Sequence, residues 1–151
     1  MDLVQVMSEV QVEVLTAARE SLERSHLVHY ERSGFEQSTE RLDRLYLVVV
    51  QCLRERRLGP ITDYAAAVAG ERLTAGFDIV EVQTAFNVLE EAMWRVVIAR
   101  VPPAELAEAT GLISTVLGAG KDTLAATWVS LVSSHQVPSL DLTALFAGAA
   151  G

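Results

Sequence analysis

Read for the alternation of apolar and polar positions, the chain breaks up into helices, and the best delimited of them runs from Phe77 to Val101. Val82, Ala85, Phe86, Leu89, Met93, Val96 and Val97 recur mostly at steps of three and four, which stacks them on one helical face and predicts that face to be buried. The start carries a capping box: Asp78 accepts from free first-turn amides, Glu81 reaches back three residues, and Phe77 and Val82 have the spacing of a hydrophobic staple. Gly76 before the helix and Pro102-Pro103 after it set its limits.

Upstream, Leu3, Met7, Val10, Val14, Ala17 and Ser21 form a narrow heptad-like seam on a helix expected over about Asp2 to Ser25. Such a seam serves a monomer's core or pairs with a second copy. Val4, Val6 and Val12 on neighbouring faces favour pairing, so Leu3, Met7, Val10 and Val14 are expected at a homodimer interface. Ser33 and Glu36 repeat the capping-box spacing and open a second helix with the core face Phe35, Leu42, Leu45, Tyr46, Val49 and Leu53. It ends on Arg54 to Arg57, where cations suit the negative helix end, before Leu58-Gly59-Pro60. A third helix, about Ile61 to Leu73, carries Tyr64, Ala65, Val68 and Leu73.

Downstream, Ala104 to Ser133 has no breaker except glycines and would span roughly 45 Å as one helix. Ala104, Gly111, Gly118 and Ala125 recur every seven residues, with Ala107 and Ser114 between the first three, so one stripe is nearly bare of side chains. Each helical glycine costs about 1 kcal/mol relative to alanine. Gly111, Gly118 and Gly120 therefore imply close packing or a break near Gly118 to Gly120, with packing preferred; Gly111 and Gly118 join the candidate interface. Ser134 to Pro138 reads as a linker and Leu140 to Ala147 as a last short helix. With no strand alternation, the expected fold is all-α: a single-domain bundle of about five to six helices.

Composition narrows the function. A net charge of −8 over 151 residues repels phosphate backbones, so nucleic-acid binding is not expected. The single cysteine, Cys52, excludes an internal disulfide and suits a reducing cytoplasm. The first residues lack the charges of a secretory signal, and no apolar run reaches the roughly 20 residues of a membrane span. The expectation is a soluble cytoplasmic protein.

Candidate chemistry is sparse. His26 and His29 share a helical spacing, but no companion ligand makes them a metal pair, and His135 stands alone. No histidine lies between Tyr30 and Ser134, which argues against globin-style haem ligation, and no cofactor is expected. Lys121-Asp122 is the only charged pair between Ala109 and Gln136; neighbours diverge by about 100° on a helix, so one is expected in solvent and the other against a partner helix. The alternative is that the pair contacts a ligand or a subunit. Glu90-Glu91 likewise diverges: Glu91 can reach Arg95, and Glu90 is expected in an interhelical ion pair. Trp94 and Trp128 read as core or interface anchors. No nucleophile–base or metal constellation is visible, so an enzyme is not expected.

In combination, His29-Tyr30, Arg41-Leu42, Tyr64-Ala65 with Glu71-Arg72, Gly76-Phe77, the run Glu81 to Phe86, the run Leu89 to Trp94 and Lys121-Asp122 resemble the N-terminal helical sensory domains of RsbR and RsbRD-type stress-response co-antagonists. The resemblance covers about 22–133 and is strongest at the R-x-x-x-G-F turn and the Glu-Val helix that follows. It implies a dimeric, globin-like bundle without haem, acting as the input module of a phosphorylation-regulated partner-switching pathway. His29, Tyr30, Arg72, Glu90, Lys121 and Asp122 become its candidate functional polar residues. Those relatives commonly carry a C-terminal STAS output domain, for which 151 residues leave no room, so a stand-alone or repurposed module is expected. The rival expectation is a protein that binds a small apolar ligand between its helices.

Overall fold

The computed structural model describes residues 2–25 and 35–136. Among them are six α-helices: α1 (Leu3–Glu9), α2 (Gln11–Arg24), α3 (Phe35–Glu55), α4 (Gly59–Thr74), α5 (Ile79–Arg100) and α6 (Leu106–Gln136), with a 3-10 turn at Pro103–Glu105. The fold is an all-α bundle. The expected features at His26, His29, Tyr30, Ser33, the side chains of Phe35, Glu36 and His135, and the segment from Leu140 to Ala147 lie outside the described residues.

The first helix is not continuous. Val10 adopts φ −102° and ψ 8°, which divides the expected element into α1 and α2. Bonds from Val10 N to Val6 O (3.1 Å) and from Val14 N to Val10 O (2.9 Å) bracket the turn. The carbonyl of Met7, which a straight helix would offer to the amide four residues on, instead accepts the Tyr46 hydroxyl from α3 at 2.5 Å. Burial pushes the Tyr46 phenol well above its ordinary pKa, so it stays protonated and remains a donor.

The seam expected to meet a second copy is taken up by the chain itself. Met7, Val10 and Val14 are 0%, 3% and 0% exposed, and Leu3 is half-buried against the same core. An apolar stripe left in water would be covered by the nearest apolar surface, and here α2 lies along α5 and α3. Of the valines, Val12 faces solvent.

Two helix ends explain the turns. The chain leaves α3 with Arg56 at φ 53°, and Arg57 N reaches back to Cys52 O at 3.3 Å. It leaves α4 in the same way: Gly76 sits at φ 86° and Phe77 N bonds Arg72 O at 3.0 Å. A left-handed residue followed by a six-to-one bond closes off the last carbonyls of each helix. The R-x-x-x-G-F turn is thus a helix stop, and only glycine takes that φ without a Cβ penalty.

At the start of α5 the capping box is present. Asp78 Oδ1 accepts from Val80 N at 3.2 Å, and Glu81 Oε2 accepts from Asp78 N at 3.0 Å. Phe77 and Val82, the staple pair, are both buried. Asp78→Ala is therefore expected to cost about 1 kcal/mol, read as a lower urea midpoint at unchanged slope.

The last helix crosses the whole bundle without a break at Gly118 to Gly120 and continues to Gln136, through the start of the expected linker. It packs along α4 and α5. The close approach belongs to Gly120, where a Cβ would stand 2.8 Å from Ile61 Cγ1 and 3.0 Å from Phe86 Cε1. Gly111 and Gly118 correct the expectation of tight packing along the stripe: a Cβ on either would meet nothing within 4 Å. Among the described residues no helix is long and apolar enough to cross a membrane.

Candidate functional site

The antiparallel pair α5 and α6 presents one face outward, and two of the polar residues singled out on these helices, Glu90 and Lys121, meet there. Lys121 Nζ lies 2.7 Å from Glu90 Oε2 and donates to Asn87 Oδ1 at 3.3 Å. Ser114 Oγ donates to Glu90 Oε1 at 3.1 Å, and the Trp94 indole N–H donates to Ser114 Oγ at 3.2 Å. The expected interhelical ion pair of Glu90 is this one. Asp122, one position on, turns to solvent.

The two bonds to Glu90, from Lys121 and from Ser114, are partly sheltered from water. The Lys121 and Glu90 side chains are 29% and 20% exposed, so their attraction is less screened than that of Glu91 and Arg95, which pair at 2.6 Å with both side chains more than half exposed. An exposed i,i+4 pair such as the second contributes only about 0.3–0.5 kcal/mol. The inner network instead orients a tryptophan whose ring edge stays in water.

Around it the face is apolar. Trp94 and Ile98 on α5 are 39% and 55% exposed, and with Asn87, Glu90, Glu91 and Arg95 they line a shallow hollow of about 370 Å³. The contacts from Glu90 to Lys121 and from Trp94 to Ser114 set the register of the two helices. Val80 on α5 and Val129 on α6 are exposed as well. Ser114, which holds the Trp94 indole, belongs to the same small-residue stripe of α6 as Gly111 and Gly118, and both glycines face open space. The arrangement supplies a fixed indole edge, an apolar ridge and a bare stripe: the elements of a contact surface. Among the described residues, no group of three His, Cys, Asp or Glu side chains could hold a metal ion.

Arg72 stands elsewhere. It is 7% exposed on α4, bonds Glu71 Oε1 through Nη1 at 2.9 Å and lies 5.6 Å from the centroid of the Phe77 ring, which Arg41 approaches to 5.4 Å. These cation–π contacts bind α3 and the end of α4 to the turn. The sequence reading missed the company Arg72 keeps, namely Arg41, Arg44 and Tyr64. The three-residue step from Arg41 to Arg44 on an otherwise amphipathic helix was the available signal.

A cleft of about 500 Å³ opens at the end of the bundle where α1 begins, α3 ends and α6 begins. Leu3, Val4, Leu53, Leu58, Leu112 and Val116 make its apolar wall. Cys52 also borders it, its thiol pKa raised chiefly by burial, which keeps it from acting as a thiolate. Comparison of the chain with protein-family models, with curated proteins and with solved structures finds no match.

Proposed function

We propose that this chain is a non-catalytic cytoplasmic regulatory module that works as a homodimer through its α5–α6 face, as the input part of a stress-response partner-switching pathway. The pathway and the globin-like, haem-free character come from the resemblance to RsbR-type sensory domains. The observation that carries the assembly is the exposed Trp94, fixed by Ser114 and flanked by Ile98 and the bare stripe. Two antiparallel helices with an uncovered apolar face are half of a four-helix bundle, and a second copy supplies the other half.

The charges suit a two-fold axis. Glu91 and Arg95 lie one turn apart on the rim, so two α5 helices crossing antiparallel near Trp94 set Glu91 of each copy opposite Arg95 of the other. Light scattering is expected to give a dimer mass at micromolar concentration, and Trp94→Asp combined with Ile98→Asp to give a monomer of unchanged helicity. A monomeric wild type ends this reading, and a dimer that survives the double variant moves the interface elsewhere. The pathway half requires that the purified dimer retain a STAS-domain protein on a column, and it falls if none is retained.

A second reading, binding of a small apolar molecule, is favoured by the cleft of about 500 Å³, which is within the usual size range for ligand pockets. A fluorescent fatty acid displaced in the Leu112→Trp variant would support it. Absence of binding to the wild type would remove it.

A further inference from the structure

Arg41, Arg44, Tyr64 and Arg72 line a hollow of about 260 Å³ between α3 and α4, with Glu40 and Glu71 both exposed at its sides. The chain has 12 lysines and arginines against 20 acids, so three arginines around one small space run against its overall charge. A guanidinium stays charged at any ordinary pH, and burying one is costly unless its donors are met.

Arg72 is buried, yet among the described residues only one of its N–H groups is hydrogen-bonded, to a Glu71 side chain that is itself 66% exposed. Four donors remain for the hollow it lines. Arg44 makes no ion pair among the described residues. The Tyr64 phenol is raised in pKa chiefly by burial, with the charges of Arg72, Arg44 and Arg41 acting on it in the opposite sense and that of Glu71 in the same sense. It therefore remains a neutral donor at physiological pH.

Forked guanidinium donors converging with a phenolic O–H on a space of this size match the oxygens of a carboxylate or phosphate. We propose that the hollow between α3 and α4 binds a compact oxyanion, a dicarboxylate or a phosphate group, with Arg44 and Arg72 as its clamps and Tyr64 as a third donor. Glu40 and Glu71 leave the site with a small net positive charge, which admits a small dianion and disfavours a long polyanion. Binding there would join α3 to α4 across the Phe77 turn and so stiffen the entry to α5, whose outer face bears Trp94.

The test uses inorganic phosphate and succinate as separate probes, with succinamide as the uncharged control, all at matched ionic strength. One probe is expected to raise the melting temperature and to give a one-to-one titration by calorimetry, and which one does so distinguishes a phosphate from a dicarboxylate site. Arg44→Gln, an exposed substitution that leaves the melting temperature in buffer unchanged, is expected to weaken binding about tenfold or more, and Tyr64→Phe to weaken it less. No binding by either probe at about 10 mM, where a millimolar site would be mostly filled, overturns the proposal. So does equal binding by wild type and Arg44→Gln.

Discussion

A glutamate at Val14 is expected to unfold the protein. Val14 is fully buried where α2 lies against α5 and α3, among the other buried side chains of a single continuous core. A carboxylate there loses its hydration inside an apolar core, and it also overfills the space of a smaller side chain. Together these cost about 4 kcal/mol or more, a large part of the stability of a domain this size. Circular dichroism is expected to show lost helicity or a transition shifted far down in temperature. Val12→Glu, two residues earlier on the solvent side of the same helix, is expected to change stability by no more than about 0.5 kcal/mol. A Val14→Glu protein that stayed folded and merely fell from dimer to monomer would return the interface to the first helices.

Valine at Gly120 is expected to destabilise by about 3 kcal/mol, the upper range for overpacking. Even a Cβ would stand 2.8 Å from Ile61 Cγ1, an inner atom of a side chain with no exposure, and 3.0 Å from Phe86, which is 2% exposed. Neither has room to retreat, so α6 must move off α4 along their shared length. Alanine at Gly118 or Gly111 has the opposite sign. Nothing lies within 4 Å of the added carbon, and the helix gains about 1 kcal/mol of propensity. Thermal melts of the three variants check the contrast, and a Gly120→Val midpoint equal to that of the wild type would mean that α4 and α6 are less closely packed than described.

The helices themselves were legible because the signals that make them are local. Asp78 and Glu81 are three residues apart and cap one turn, Gly76 supplies the one left-handed φ its turn needs, and the steps of three and four from Val82 to Val97 select a buried face. The pairing of Glu90 across to α6 was also readable, since Glu91 already has Arg95 on its own helix and a cation on a mostly apolar helix needs a carboxylate.

What covers each face is a different kind of fact, and it is where the sequence reading went astray. Periodicity establishes that Met7, Val10 and Val14 must leave water, but burial is non-directional, and a chain's own α3 and α5 satisfy it as well as a second copy would. The glycines show the same limit: Gly111, Gly118 and Gly120 are alike in sequence, and only the position of Ile61 and Phe86 in space separates an obligatory glycine from two that face open space. The gathering of Arg41, Arg44, Tyr64 and Arg72 likewise depends on α3 lying beside α4, residues about 20 to 30 apart along the chain brought together by packing. Local hydrogen bonds and side-chain spacing determine which segments are helices and which faces are apolar, because those interactions act within a few residues. Which apolar face meets which was decided by the tertiary structure, because close packing is satisfied only by the three-dimensional fit of distant side chains.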